Sequence, residues 1–276
     1  MSLIPVEFSI LASSDPANGA INVSPDGSQF TIALQEPFRI PATAVNVQVS
    51  APEGSVWWVS PNILAGQNNR FSISVGVDDF TVFIPTGLYD LPGLQAALNV
   101  LWQGFIVPAL PTGNGSLLTL SPDSATQKVV ITANYPNTVI TFTADSPYEI
   151  LGWDIGGTVP ASNGATVPFS WIAPNVANFN QINNYQIHSD CVAQGIRVNN
   201  AYTQLLTPVP ITVQPGSQIV FSNLVAAQIP SPDLKGIQRT QIKMWLTDDK
   251  NRPVECLGEY WTVRIVFKYW IAFEVR

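Results

Sequence analysis

The sequence predicts an all-β protein built as a sandwich or a barrel. Its 23 prolines and 18 glycines separate short runs rich in Val, Ile, Thr, Phe and Trp, the residues that favour strands. Turn-forming segments such as Pro25–Ser28 and Pro111–Gly115 lie between these runs. About a dozen short strands at this spacing are typical of sandwiches and barrels. The strand-like runs are Gln29–Leu34, Ala44–Ser50, Ser55–Val59, Arg70–Val75, Phe80–Ile84, Leu117–Leu120, Lys128–Ala133, Thr138–Thr143, Tyr185–Ser189, Ser217–Phe221, Thr240–Leu246 and Trp261–Phe273.

One helix interrupts the strands, and we predict it at about residues 90–102. Leu91, Leu94, Leu98 and Leu101 recur at the spacing of an amphipathic helix face, and Asp90 is a natural N-cap. We expect the apolar face of this helix to pack across an open end of the β-layers.

The last part of the chain predicts two longer strands. Polar and apolar residues alternate in Thr240–Leu246, and Trp261–Val275 is nearly twice as long as an average strand. We expect these two strands to pair antiparallel and to share one buried face. The final strand should be an inner one, because an exposed edge this long and hydrophobic would aggregate.

Charged residues are scarce, and they are unevenly distributed. They make up 11% of the chain, against roughly 25% in an average soluble protein, while 46% of the residues are hydrophobic. A free monomer with this composition would disperse poorly, so we expect its surface to lie against copies of itself or against neighbours. Up to Asp190 there are 3 basic and 13 acidic residues, and from Cys191 onward there are 9 basic and 6 acidic residues. This asymmetry makes Arg264, Lys268 and Arg276 candidates for basic residues that face the interior of an assembly or another anionic surface.

The residues give little support to catalysis. His188 is the single histidine, and in a strand its side chain would point to the face opposite that of Ser189 and Cys191. We therefore interpret it as a hydrogen-bonded structural histidine near an interface. The sequence also has no glycine motif for binding phosphates or dinucleotides. No catalytic or cofactor-binding residue is assigned, and we expect neither an enzyme nor a cofactor.

Metal binding has little support either. The turns Asp78-Asp79 and Asp248–Asn251 are rich in oxygen ligands, but neither has the spacing of an EF-hand loop. One histidine, without a cysteine pair at ligand spacing, argues against a zinc site. No metal ligand is assigned. Cys191 and Cys256 are expected to be free buried thiols, and a disulfide between them is the open alternative.

Eight tryptophans invite a carbohydrate-binding interpretation, because flat aromatic rings form platforms for sugars. They are scattered along the sequence, however, and adjacent residues in a strand face opposite ways. Packing in the core and contacts between subunits explain them more simply. Our candidates for interface aromatics are Trp57, Trp58 and Trp245.

No targeting or membrane-spanning segment is expected. The segment Met1–Glu7 has no basic start and no small-residue cleavage site, and the apolar runs are too short for a transmembrane helix. The basic residues are also too dispersed for specific recognition of nucleic acid.

Several segments, taken in order, resemble a known family. They are Phe8–Ile10, Ala20–Phe30, Trp57–Ile63, Ile84–Asp90, Ser146–Trp153, Ile187–Asp190, Leu246–Asp248, Asn251–Pro253 and Gly258–Trp261. Their sequence resembles the minor capsid or penton (vertex) proteins of tailless icosahedral DNA viruses with jelly-roll capsids, including the polinton-like and virophage-like groups. Trp153 departs from the family pattern, in which phenylalanine usually occupies this place.

The resemblance implies a jelly-roll β-sandwich of two facing four-stranded sheets. We expect residues 1–77 and 161–276 to form the jelly roll and residues 78–160 to form an insertion or a second small β-rich subdomain that contains the helix. It further implies a structural virion protein that forms the icosahedral vertex, or another minor capsid position, by assembling into a ring. The expected partners are four further copies of the chain, other capsid proteins and a spike protein. The expected location is the virion, after synthesis in the host cytoplasm.

Three alternatives stay open at this point. The protein could be a receptor-binding spike or carbohydrate-binding β-sandwich, a major capsid protein, or a β-sandwich hydrolase. A major capsid protein of this lineage usually carries two jelly rolls and would be longer than 276 residues.

Overall fold

The computed structural model describes residues 2–105, 116–159, 168–180, 182–193, 197–198, 201–223 and 225–273. The first strands and the helices are β1 (Ser2–Ser13), β2 (Ala20–Ile21), β3 (Gln29–Arg39), β4 (Val45–Trp57), β5 (Arg70–Val75), β6 (Asp78–Phe83), α1 (Leu91–Phe105), β7 (Leu118–Pro122), β8 (Val129–Ala133), β9 (Thr138–Thr141), α2 (Tyr148–Leu151), β10 (Thr158–Val159) and β11 (Phe169–Ile172). The remaining strands are β12 (Asn184–Ser189), β13 (Arg197–Val198), β14 (Ala201–Tyr202), β15 (Leu205–Pro210), β16 (Gln218–Ser222), β17 (Ile229–Pro230), β18 (Gln238–Asp248) and β19 (Thr262–Phe273). Neither helix is long and apolar enough to cross a membrane among the described residues.

The chain divides into two compact units, of which the first is a jelly roll. This unit comprises residues 1–60 and 182–276. Its first sheet has the strand order β1-β19-β4-β16, with β17 also paired to β4, and its second sheet has the order β15-β12-β18-β3-β2. Of the eight main strands the first pairs with the last, the second with the seventh, the third with the sixth and the fourth with the fifth. This nested antiparallel pairing is that of a jelly roll, so the predicted fold class is confirmed.

Alternation along the strands places the core between the two sheets. In β18 the side chains of Ile242, Met244 and Leu246 are buried, whereas Lys243 between them is exposed. Aromatic rings join the two sheets. The ring of Phe38 on β3 lies 5.0 Å from that of Phe8 on β1 and 4.9 Å from that of Phe267 on β19, and Phe30 packs edge-on against Trp261 at 4.9 Å.

The expected pairing of the last two long strands is wrong. β18 lies in the second sheet and β19 in the first, so they are separate layers of the sandwich. Residues 249–261 connect them, which is far longer than the two to five residues of a typical hairpin loop. The prediction that the final strand is an inner one is confirmed, since β19 lies between β1 and β4.

The second unit, residues 61–181, has its own core. It contains one sheet of order β10-β9-β5-β6, another of order β11-β8-β7, and helix α1. Asp90 caps α1 through Oδ1, which accepts a hydrogen bond from the N–H of Gly93 at 2.7 Å. The predicted helix therefore exists, and its buried Leu94, Leu98 and Trp102 belong to the core of the second unit. It packs against β7 in that unit, and its expected place across an open end of the β-layers stays a prediction.

The bounds of the second unit, residues 61–181, are wider than those of the predicted insertion, residues 78–160. Residues 78–160 belong to the second unit in both divisions, but the compact unit also includes β5 and β11. The reason is strand pairing, because β5 pairs with β6 and β9, and β11 pairs with β8. The second unit is thus inserted between the third and fourth strands of the jelly roll, after β4 and before β12.

Candidate functional site

His188 is buried and held by its neighbours on β18. It lies on β12 with only 3% of its surface exposed, and its Nε2 is 2.9 Å from the hydroxyl of Thr247. Its ring stacks on that of Trp245 at 5.3 Å. Burial lowers the pKa of His188 from 6.5 to about 4, so the imidazole is neutral near pH 7. The predicted hydrogen-bonded strand histidine is confirmed.

The nucleophilic side chains near this histidine are engaged elsewhere. The hydroxyl of Ser189 accepts a hydrogen bond from the backbone N–H of Cys191 at 3.1 Å. Cys191 and Cys256 are both free and buried, and burial raises the pKa of each thiol to about 12. A thiol with so high a pKa is not a nucleophile at neutral pH. The expected free buried thiols are confirmed.

Protein donors satisfy both carboxylate oxygens of Asp248 and one of Asp249 in the oxygen-rich turn after β18, while Oδ1 of Asp249 is buried without a hydrogen-bond partner. Oδ1 of Asp248 accepts hydrogen bonds from the backbone N–H groups of Lys250 and Arg252, and its Oδ2 lies 2.7 Å from Nε of Arg252. The neighbouring Asp249 accepts hydrogen bonds from the backbone and side chain of Asn183 at 3.1 and 2.9 Å. Within the described part of the chain, no group of three or more His, Cys, Asp or Glu side chains could hold a metal ion.

The eight tryptophans do not form an exposed platform. Four are buried and four are half-buried, and none is exposed. Among the candidate interface aromatics, Trp58 belongs to the core, whereas Trp57 and Trp245 are half-buried. The Trp245 ring contacts two neighbours: the ammonium of Lys243 lies 6.0 Å from its centre, and the His188 ring stacks on it.

Two of the three candidate basic residues share the outer face of the first sheet. Arg264 forms an ion pair with Glu53 at 3.2 Å on the neighbouring strand β4. Lys268 places its ammonium 5.4 Å from the centre of the Trp270 ring. Arg276 lies outside the described residues. The positive charge of Arg264 is therefore compensated by Glu53. Lys268, in contrast, forms no ion pair with any residue that the structure describes.

The same outer face exposes large apolar side chains. Leu11 on β1 is 69% exposed and Val220 on β16 is 73% exposed, at the two opposite edges of the first sheet. These are single exposed apolar residues, and each lies on an edge strand where a neighbouring chain can cover it. Alternation of inward and outward residues along β1 was a signal that the side chain of Leu11 points outward. The sequence alone does not show that β1 lies at an edge of the sheet.

Net charge differs between the two compact units. The second unit has seven acidic and two basic residues among residues 61–181, a net charge of −5, whereas the first has twelve acidic and ten basic residues. The inserted unit thus accounts for half of the net charge of −10 that the chain carries up to Asp190.

No protein-family model matches the chain, and no curated protein matches it. A solved structure of the mavirus penton protein is 14% identical and aligns over 98% of this chain and 100% of that chain, with a TM-score of 0.47. A chain in the cryo-EM structure of the Sputnik virophage is 15% identical and aligns over 95% of this chain and 97% of that chain, with a TM-score of 0.43. Because both TM-scores lie below 0.5, the jelly-roll assignment rests on the strand pairing of the protein itself.

Proposed function

We propose that the protein is a structural subunit of a virion, and that it forms the icosahedral vertex or another minor capsid position by assembling into a ring. Its location would be the capsid, after synthesis in the host cytoplasm. Its partners would be four further copies of the chain, which make a closed ring of five, together with other capsid proteins and a spike protein. We propose no catalytic activity, no cofactor and no sequence-specific contact with nucleic acid.

The observation that carries this proposal is the exposed apolar surface of a jelly roll that has few charges. Leu11 and Val220, one at each edge of the first sheet, would be covered by neighbouring copies in such a ring. An interface with few ions avoids the cost of burying unpaired charges. Head-to-tail contacts between identical subunits then close into a ring if the rotation between them fits.

The alternatives have less support from the described side chains. A sugar-binding spike would present exposed, coplanar tryptophans, whereas every tryptophan here is buried or half-buried. A hydrolase that depends on His188 would need to expose this residue to a substrate, whereas both His188 and its partner Thr247 are buried and the ring is stacked on Trp245. A major capsid protein of the resembled lineage would carry a second jelly roll. The second unit instead contains sheets of four and three strands.

The mass of the purified full-length protein in solution tests the proposal. Mass photometry, followed by electron microscopy of the same sample, should find a ring of five chains, each of 29.9 kDa. A trimer would point to a spike or a capsomer and would contradict the vertex assignment. A protein that stays monomeric at every accessible concentration would contradict the whole proposal.

We also propose that Lys268 faces an anionic surface in the assembly, as the charge asymmetry suggests. The purified protein should bind vesicles of phosphatidylcholine with phosphatidylserine better than vesicles of phosphatidylcholine alone. Lys268→Gln should reduce this preference, and Lys128→Gln, a cation from the acidic second unit, should leave it unchanged. Equal binding by wild type and Lys268→Gln would contradict the orientation.

A further inference from the structure

Strand β1 has a long free edge. It pairs with β19 along all twelve residues, and no described strand pairs with its other side. The N–H of Ser14 donates to the carbonyl of Trp261 at 3.0 Å, directly beyond the end of this unbroken register. Backbone groups alternate in direction along an antiparallel strand. The even-numbered residues of β1 therefore bond to β19, and the N–H and C=O groups of Glu7, Ser9 and Leu11 point away from the sheet.

The position of Pro5 is consistent with odd-numbered residues directing their backbone groups to the free edge. As an odd-numbered residue it has its missing N–H on the free side, which is where proline is tolerated in an edge strand. From Val6 to Ser13 no further proline interrupts the edge. The inward side chains Val6, Phe8 and Ile10 are only half-buried, so the core of the sandwich is incompletely covered beside β1.

Strand β16 provides a matching edge on the opposite side of the same sheet. The carbonyl of Ser217 accepts a hydrogen bond from the N–H of Trp58 at 3.0 Å, so the odd-numbered residues of β16 face β4. The N–H and C=O groups of Gln218, Val220 and Ser222 therefore point to the free side. No proline and no charged residue lies within this strand.

The other edges of the jelly-roll sheets are less suited to pairing. β15, the edge of the second sheet, contains Pro208 and Pro210, and β17 contains Pro230. β2 is only two residues long. Prolines and short strands are the usual means by which proteins prevent pairing at sheet edges. β16, and β1 from Val6 onward with Glu7 as its one charged residue, are therefore the longest proline-free edges among the described strands of the jelly roll.

We infer that β1 of one copy pairs with β16 of the next, so that the first sheet continues from subunit to subunit around the ring. This inference rests on the proposed ring and names the contact that closes it. The four strands of the sheet alternate in direction, so a rotation about an axis roughly along the strands sets β1 antiparallel to the neighbour's β16. With Leu11 opposite Val220 of the next copy, the two most exposed apolar side chains of these strands cover each other.

Cysteine cross-linking tests this register in the full-length chain. Directly opposed residues in a hydrogen-bonded antiparallel pair have Cα atoms about 5.5 Å apart, within the range of a disulfide. The double variant Leu11→Cys with Val220→Cys should therefore form covalent oligomers up to the full ring under mild oxidation. The native thiols are buried and should not interfere. Each single variant is the matched control and should stay uncross-linked. Dimers from Leu11→Cys alone would reveal a two-fold contact between two β1 strands and would overturn the inference.

A proline substitution tests the backbone hydrogen bonds. Ser9→Pro removes an N–H that points to the free edge and spares those that bond to β19, so the fold should melt at nearly the wild-type temperature. The concentration at half-assembly should rise at least about tenfold, which corresponds to 1.4 kcal/mol. Ser9→Ala keeps the N–H and should assemble like wild type. If Ser9→Pro rings form at the wild-type concentration, the inference fails while the proposed ring stands. If the wild type never forms a ring, the proposed function and the inference both fail.

Discussion

At the scale of single residues, Gly54 shows how closely the strands of the first sheet approach. A Cβ atom on this residue would overlap the carbonyl oxygen of Thr262 and would lie 2.7 Å from the ring of Phe221. The carbonyl belongs to the backbone of β19 and cannot yield without disturbing the β4–β19 pairing. Only glycine therefore fits here, although its backbone is not in the left-handed region.

Gly54→Ala should destabilise the protein by about 3 kcal/mol, because overpacking forces the backbone to shift. The matched control is Gly19→Ala in the same compact unit, where a Cβ meets no heavy atom within 4 Å but φ is +89°. That change should cost only about 1 kcal/mol, from the left-handed backbone. Urea unfolding of both variants measures the difference, and equal losses would contradict the close contact.

His188 gives the protein a defined response to acid. Its pKa is lowered by burial to about 4, against 6.5 as the ordinary value. The unfolded chain therefore takes up a proton near pH 6.5 and the folded chain only near pH 4, so stability is full above pH 6.5 and falls as the pH drops toward 4. At pH 5 the loss should be about 2 kcal/mol.

The free energy of unfolding, measured between pH 7 and pH 5 for wild type and His188→Gln, tests this response. The variant should show a much flatter dependence, because glutamine does not titrate. A slope as steep as that of the wild type would assign the pH dependence to other groups.

The role of His188 is also an example of what the sequence made predictable. Alternation in a strand separated its side chain from Ser189 and Cys191, and that sufficed to predict a structural histidine. The stacking on Trp245 was not predictable, because it depends on β12 and β18 being neighbours in the second sheet. These strands are some fifty residues apart in the chain.

At the scale of elements, helix α1 connects its sequence pattern to the core of the second unit. Leu94 and Leu98 are fully buried, whereas Val100 on the same helix is exposed. The spacing of the leucines predicted this face, but not the strand that it contacts. An amphipathic pattern shows which face of a helix is buried, but it does not identify the element against which that face packs.

Leu98→Ala should destabilise the second unit by about 2–5 kcal/mol, through lost burial and the cavity left behind. Val100→Ala removes apolar atoms from an exposed position and should change stability by less than about 0.5 kcal/mol. Thermal unfolding followed by calorimetry measures both. A Leu98→Ala variant as stable as Val100→Ala would contradict the assignment of this face to the core.

The pair β18 and β19 shows the limit of strand patterns. Alternation identified both strands and their buried faces correctly, with Ile242 and Ile265 fully buried. One apolar face per strand is expected both when two strands are neighbours in one sheet and when they lie in facing sheets. The length of the connection, residues 249–261, was the signal that favoured the second arrangement.

At the scale of the whole molecule, scarce charge predicts how assembly responds to salt. The proposed contact between β1 and β16 involves backbone groups, Leu11 and Val220, so its strength should not depend on ion pairs. Screening also weakens the repulsion between chains that each carry a net charge of −7. The proposed ring should therefore be unchanged or slightly strengthened by salt.

Mass photometry in roughly 50 mM and 500 mM sodium chloride tests this expectation, since the Debye length falls strongly over that range. The ring fraction should stay constant or increase. Dissociation at high salt would show that ion pairs hold the subunits together, and Arg264 with Glu53 would then be the first pair to examine across the interface.

The largest feature that the sequence left undetermined is the extent of the insertion. Strand-like runs such as Arg70–Val75 look alike in either unit, because their composition does not encode their partner. The partner is set by the pairing of β5 with β6 and β9. The jelly roll itself was predictable mainly through the ordered resemblance, since composition alone indicated only a sandwich or barrel.

The hydroxyls of Ser60 and Tyr185 lie 2.8 Å apart in the core of the jelly roll. These residues flank the points where the chain leaves for the second unit and returns from it. Because the two ends of the insertion lie this close together, its length costs the jelly roll little stability, just as a surface loop tolerates lengthening. The jelly roll therefore holds both insertion points together through its own side chains, so the length of the inserted segment adds little to the entropic cost of closing it.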